Sequence, residues 1–446
     1  MSSCMQSEMV SMKGSALVIT LMTMILMTSI LLVTLSVYEK VERDYITELK
    51  KIMVFNVTRS TLETVYEYLK ANPDKLQSYL GEFQAELKEF PGTVKLVLSK
   101  EGDEYKLTCT SVLDGFTDTQ AIVFRKRSAL FSYAVVALGN LNLSNNAKIH
   151  GNVLYRGENK LSVPNNFVLE GNLIVEKAEL ELSNNATITG NVEVQNSNLT
   201  MSNNSCIGSP DKPSIVKVKG NVALNNNPIL YGDVYAGGNV ENSGTISGQI
   251  FANQDDITFS NPPDFPPPEI PDDLPPPSGE LVLEDREQTL TSGTHGYSAV
   301  KVQKGGKLTV NTSNGDVILR VGELYVDNNG IIEVRGKGNF VIYVDQKVTF
   351  SNNAELKTPD GGKVFIVSDK DNVEISFSNN SVMENLYIYA PRAKVTFSNN
   401  ARFTGSVVAR DVSLSNNVEF VEPQSVPIEV SEGSSTDFEI IKWGKD

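Results

Sequence analysis

Ser183-Asn184-Asn185-Ala186-Thr187-Ile188-Thr189-Gly190-Asn191-Val192-Glu193-Val194 decides the fold, because it returns. One step upstream the chain reads Asn165-Asn166-Phe167-Val168-Leu169-Glu170-Gly171-Asn172-Leu173-Ile174-Val175. A step before that it reads Asn145-Asn146-Ala147-Lys148-Ile149-His150-Gly151-Asn152-Val153-Leu154-Tyr155. The doublets begin at Asn145, Asn165, Asn184 and Asn203, at steps of 20, 19 and 19 residues, and return at Asn352, Asn379, Asn399 and Asn416. Before them apolar residues alternate, as in Leu141/Leu143, Leu161/Val163, Leu180/Leu182 and Leu199/Met201. Alternation sets one row inward and the polar row outward, and a period near 20 means coils stacked round an apolar core.

The corner residues have a physical reason. A sharp corner needs φ > 0, which Gly and Asn tolerate best. Stacked coils bring equivalent side chains to about 4.8 Å. The amides of Asn145, Asn165, Asn184, Asn203, Asn352, Asn379, Asn399 and Asn416 are therefore expected to bond up and down the stack as a structural ladder, satisfying polar groups within a low-dielectric column. Plain exposed turns are the alternative reading. The unit loosens at Gly220-Asn221-Val222, Gly248-Gln249-Ile250 and Asp327-Asn328-Asn329-Gly330 but does not stop. About 270 residues at about 20 per coil predict roughly 13 coils and a rod of about 60 Å.

The fold class expected is mainly β. A long N-terminal transmembrane and amphipathic α-helix leads to a small β-meander, then to a single-stranded parallel β-helix. The boundaries read as leader 1–14, helix 15–72, meander 73–133, β-helix 134–260, proline-rich segment 261–279, β-helix 280–421 and a tail or cap 422–446. Asn261 to Gly279 holds nine prolines. Proline cannot donate to a strand ladder, so this segment leaves the coil, as a linker between two solenoids or as an excursion from one. Recurrence of the repeat on both sides favours one column. Phe438 to Trp443 reads as a last strand that caps an open end of the stack, where backbone groups lack partners.

At the other terminus, Ala16 to Val37 carries no charge over 22 residues. At 1.5 Å per residue this is about 33 Å, enough for a bilayer core. Val41, Tyr45, Leu49, Ile52, Leu62, Val65 and Leu69 then keep helical spacing to about Lys70, and Asn72-Pro73 closes the helix. Val94 to Ser99, Tyr105 to Val112 and Thr119 to Lys126 read as three strands.

This two-part helix resembles the first helix of type IV pilins and of their relatives in type II secretion. Lys13-Gly14-Ser15 followed by Ala16-Leu17-Val18-Ile19 resembles the start of PilX-type minor pilins, which implies prepilin cleavage between Gly14 and Ser15. Major pilins carry Glu five residues after the cut; Ile19 stands there here. From about Gly279 the chain resembles the C-terminal right-handed β-helical domain attached to such N-termini in bacterial surface proteins, most closely over Leu386 to Asn400 and Phe403 to Ala409.

Composition excludes several functions. The net charge is −15 and no basic stripe is visible, which argues against nucleic acid. Three scattered cysteines, Cys4, Cys109 and Cys206, make neither a disulfide framework nor a metal set. His150 occupies an outward slot and His295 reads as part of a turn. β-Helical lyases and glycosidases need acids converging on one face, whereas the equivalent positions here are Asn152, Asn172, Asn191 and Asn221. Asp255-Asp256 and Asp272-Asp273 are doublets whose members point to opposite faces. No catalytic residue, metal or cofactor is expected.

The reading is a membrane-anchored, pilin-like surface protein involved in type IV pilus assembly or adhesion, with a non-catalytic body outside the cytoplasm. Its expected partners are the bacterial inner membrane, other pilins or pilus assembly proteins, and surface glycans, but not nucleic acid. A cell-envelope polysaccharide-binding or -degrading β-helix and a bactofilin-like polymer-forming scaffold are the alternatives.

Overall fold

The computed structural model describes residues 2–85, 87, 90–101, 104–128, 131–422 and 436–444. The chain forms two compact units. One comprises Met1–Lys126 together with Phe438–Asp446, and the other Arg127–Asp437.

In the first unit, helix α1 (Ser2–Ala71) continues through the leader without a break and ends before Pro73. Its last turns bury one stripe: Val54, Thr58, Leu62, Tyr66 and Leu69. Leu62, Tyr66 and Leu69 pack on Leu96, Leu107, Cys109 and Phe124, and Tyr66 meets the Phe124 ring edge-on at 5.4 Å. The helical periodicity upstream has no such partner. Val41, Tyr45, Leu49 and Ile52 stay exposed, because the sheet covers the helix only from Val54 onward.

The meander has more strands than the three expected. β1 (Gly81–Ala85), β2 (Thr93–Glu101), β3 (Glu104–Leu113) and β4 (Phe116–Ser128) pair antiparallel in sequence order. The C-terminal strand Thr436–Gly444 joins beside β4. The tail is thus a sheet strand and not the expected cap of the solenoid. The chain from 129 to 435 is an insertion between two neighbouring strands of one sheet. Gly102-Asp103, in a predicted turn, lies outside the described residues.

The second unit is a parallel β-solenoid of about 14 turns. Each turn has three faces. In one turn these are Val168–Glu170 on the first, Leu173–Val175 on the second and Leu180–Leu182 on the third. Equivalent residues pair in parallel from turn to turn, as Leu154↔Ile174↔Glu193 and Ser162↔Glu181↔Thr200 show. The core is the inward row of all three faces. In the lower half it contains a run of rings, with Phe350, Phe377 and Phe397 stacked at 5.5 and 4.9 Å.

The Gly-Asn corner needs glycine for lack of room. A Cβ on Gly171 would lie 2.2 Å from the carbonyl oxygen of Gly151, and one on Gly190 would lie 2.4 Å from that of Gly171. The Asn beside each glycine ties the backbone: Asn152 Oδ1 accepts from Asn172 N at 3.0 Å, and Asn172 Oδ1 from Asn191 N at 2.8 Å.

The column is not stacked in sequence order. The turn at Arg402–Val421 pairs with the turn at Val135–His150, in the registers Val407↔Val135, Val412↔Leu141 and Phe420↔Ile149. The stack therefore begins at Glu280, rises to Val421, continues at Val135 and ends at Phe251. One column is present, and its second half in sequence lies beneath its first. We call the junction the seam.

The insertion explains this order. A segment placed between adjacent strands must begin and end close together. A solenoid wound straight would leave its ends about 60 Å apart, at about 4.8 Å per turn. The permuted stack brings them side by side: Glu422 N donates to His150 O at 2.7 Å, Ala134 N to Asn152 O at 2.8 Å, and Ala134 and Glu422 both crowd Gly151.

Candidate functional surfaces

The permutation requires the chain to travel from the top of the column to its base, and residues 252–279 make that journey. At about 3.1 Å per residue an extended proline-rich segment reaches about 85 Å, more than the column height. It runs down the second face as a strap. Proline-rich backbone has no internal hydrogen bonds, so its carbonyls need donors from elsewhere. The face supplies them. Lys217 Nζ donates to Thr258 O at 2.7 Å, Gln195 Nε2 to Ser260 O at 2.8 Å, Arg156 Nη2 to Pro262 O at 3.2 Å and Tyr389 OH to Pro266 O at 2.6 Å. Glu193 accepts both the N–H and the hydroxyl of Ser260, at 2.8 and 3.0 Å.

Between the Pro262 and Pro266 clips the strap adds an apolar anchor. Phe265 enters a cluster with Phe131, Leu154, Phe365, Tyr387 and Tyr389, and the Arg156 guanidinium sits 5.2 Å over its ring. Burial raises the Tyr389 phenol above its ordinary range. Tyr155, Tyr387 and Tyr389 are buried. Strands Val153–Tyr155 and Leu173–Val175 are buried throughout, because the core covers one side and the strap the other. Continuous apolar runs are the signature of such two-sided strands.

The Asn-Asn corner lies between the third and first faces. At Ser351, Ser378 and Ser398 the serine carbonyl accepts from the residue three on, and both asparagines have φ near +50 to +63°. Two lines of amides run along this corner. Asn416 Nδ2 donates to Asn399 Oδ1, Asn399 to Asn379 and Asn379 to Asn352, each at 2.9 Å. Asn352 donates in turn to Asp327 at 2.6 Å. Beside them Asn417, Asn400, Asn380 and Asn353 bond in series, ending on Asn329.

In the upper half the bonds use the second asparagine: Asn185 to Asn166 at 3.4 Å, and Asn166 to Asn146 at 3.3 Å. Asn165 and Asn184 contribute backbone there, their carbonyls accepting from Asn146 N and Asn166 N, while Asn145 is exposed at the same corner. Asn203 accepts from Asn226 at 3.2 Å. The amides lie on the exposed outside of the corner, not within the low-dielectric column expected from the sequence. The buried places at the corner belong to Ser351, Ala354, Ala401 and Ser381.

Asp327 ends the first amide line and is itself buried. Burial raises its pKa, but donors from Tyr325, Ser351, the Asn328 backbone and Asn352 outweigh this and hold it below the usual carboxylate value. An acid fits there, since the last member of a donor chain needs only to accept.

The other residues singled out from the sequence are dispersed. His150 Nδ1 lies 2.9 Å from Glu170 across a turn. His295 belongs to strand Gly293–Gln303 and not to a turn; its Nε2 lies 2.9 Å from Thr291 O. Cys109 is buried in the meander, which raises its thiol to about 11. Gly14 and Ser15 are helical in backbone, and their side chains lie outside the described residues. Among the described residues no three His, Cys, Asp or Glu side chains cluster as a metal site.

The most extensive apolar surface is on α1. From Leu21 to Val37 its large apolar residues are exposed by 51% (Leu35) to 73% (Met27). Inward-turned hydroxyls cannot explain them, since Thr28, Ser29 and Thr34 bond back to the carbonyls four residues earlier. This helix is long and apolar enough to cross a membrane.

These features define a parallel β-solenoid inserted into an antiparallel sheet that carries a long, bare, apolar helix. Residues 269–423 match a family model described as "Domain of unknown function (DUF7305)". That span covers the lower half of the column and the part of the strap below Pro268. No curated protein matches the sequence. Among solved structures, the competence-associated pilin ComZ from Thermus thermophilus aligns at 14% identity over 88% of this chain and 97% of that one, with a TM-score of 0.33. An ice binding protein from an Antarctic bacterium, Flavobacteriaceae, aligns at 12% identity over 67% and 98%, with a TM-score of 0.20.

Proposed function

We propose that this is a membrane-anchored, pilin-like surface protein. Its helix α1 inserts into the bacterial inner membrane or among the helices of other pilins, and its solenoid serves pilus assembly or adhesion without catalysis. The observation that carries the reading is the uncovered, uncharged apolar run of α1 from Leu21 to Val37, well before the meander begins to bury the helix at Val54. A water-exposed surface of that extent marks a membrane or protein partner. The residues around Gly14 add their resemblance to PilX-type leaders, which implies cleavage after Gly14. Surface glycans are the ligands an adhesive column would meet.

Fractionation of cells producing the full chain, followed by sequencing of the mature N-terminus, tests this. Recovery in membranes or pili with Ser15 as first residue supports it. A chain released in soluble form after cleavage beyond Val37 would contradict it. Incubation with envelope polysaccharides should yield no new reducing ends or unsaturated sugars.

A further inference from the structure

The two ends of the column are built differently. At the base the inward row is Leu281, Leu283, Gln288, Leu290, His295 and Tyr297, by register with Val300, Val302, Leu308, Val310, Leu319 and Val321. The three leucines there are 3–8% exposed. Glu280, Glu284, Asp285, Arg286 and Glu287 line the same turn. Charges along an edge strand prevent other strands from adding to it.

The top lacks both defences. Val240, Ile246 and Ile250 hold inward positions, by register with Val222, Leu230 and Val234, each 0% exposed. Yet Ile250 is 46% exposed, and Val240 and Ile246 are only partly buried. Between Val240 and Phe251 the only charge is Glu241. Among the described residues Val240–Asn242, Thr245–Ile246 and Ile250–Phe251 have register partners on their lower side alone. The two ends of the solenoid segment lie at the seam, and the strap that leaves after Phe251 turns down the second face, where Gln254 N donates to Ala236 O at 2.9 Å and Lys217 Nζ to Thr258 O at 2.7 Å.

We infer that the top turn, Val240 to Phe251, is a docking surface for the top turn of a second copy of this chain, joined about a two-fold axis. The cross-section has three strand edges round an apolar centre, and a second solenoid end matches all three edges and the centre at once. The seam shows that turns of this repeat stack in register without being consecutive, Leu141 on Val412 and Ile149 on Phe420. The base of a second copy is charged at its edge and closed by Gln288, His295 and Tyr297. That leaves top against top, an isologous contact that closes as a dimer. This inference is independent of membrane anchoring.

The test is the mass of the full chain in mild detergent, by light scattering over a hundredfold range of concentration. A dimer is expected, with I246K/I250K shifting it to monomer at least tenfold more readily. N242R, at an already exposed position, should weaken it without loss of fold. V282K at the base should leave the dimer intact. A monomer throughout, a dimer indifferent to both top variants (as α1 alone would produce), or equal disruption by V282K would each overturn the inference.

Discussion

Asp411 and Asn140 stand 271 residues apart in sequence and on adjacent turns in space: Asp411 Oδ1 accepts from Asn140 N at 3.0 Å and from Asn140 Nδ2 at 2.8 Å. Asn140 Oδ1 accepts in turn from Asn159 Nδ2 at 2.8 Å. One carboxylate thus links the last turn of the lower half to the first two turns of the upper half.

Replacing Asp411 by Ala should destabilise the column by about 1–3 kcal/mol, since two donors lose a charged acceptor in a half-buried setting. Burial raises the Asp411 pKa, but Arg410 and Asn140 outweigh it and hold the folded value below the ordinary 3.8. A carboxyl depressed in the folded state stabilises fully above its unfolded pKa and loses that contribution as pH falls through the folded one. The difference between wild type and D411A should therefore be constant from neutral pH to about 5 and shrink below about 4. Urea melts at a series of pH values measure it.

Phe265→Ala removes the strap's anchor on the second face. Truncating a buried phenylalanine costs about 3 kcal/mol, and here the loss falls on local opening of the strap. Native-state proteolysis within 252–279 should quicken by roughly 100-fold while opening stays fast relative to cleavage. Unchanged cleavage would mean that the polar clips alone hold the segment.

Asn379 separates two roles of the corner. Its φ of 52° favours Asn or Gly, and its amide both donates and accepts along the line. Asn379→Gly keeps the backbone and loses the bonds, which are exposed and worth about 1 kcal/mol or less. Asn379→Ala loses the bonds and adds about 1–2 kcal/mol of left-handed strain. Thermal melts should rank wild type above Gly and Gly above Ala; equal losses would mean that the strain is negligible.

Ser381 occupies a buried corner place held by Ala354 and Ala401 in neighbouring turns, and its hydroxyl has no partner among the described residues. Ser381→Ala should stabilise the fold by about 1 kcal/mol, because an unmade hydrogen bond disappears. Loss of stability would show that the hydroxyl is bonded in solution.

The winding itself is legible in the sequence because each turn repeats Asn-Asn and Gly-Asn at corners where φ and space restrict the choice. The helix is legible from its uncharged length. The order of turns is not, because register depends on inward rows that look alike: by size and polarity, Val412 could stack on Leu141 or on any other apolar residue of the third face. A signal is nevertheless present. Val364-Phe365-Ile366-Val367 and Leu386-Tyr387-Ile388-Tyr389-Ala390 break the alternation seen on the other faces, as strands covered on both sides do. Together with a segment of nine prolines that needs a surface to lie on, they point to the strap face. The outward place of the asparagines escapes the sequence because a ladder satisfies amides as well at the surface as inside.

The permuted stacking is tested most directly by paired cysteines on the third face. Asn142 and Ser413 are register partners, with Asn142 Nδ2 3.3 Å from Ser413 Oγ. A column wound in sequence order would instead bring Glu241 beside Val282. Oxidation of full-length N142C/S413C should close an intramolecular disulfide, identified by mass spectrometry of the joined peptides, while E241C/V282C should not close one. A disulfide in the second pair and none in the first would contradict the account.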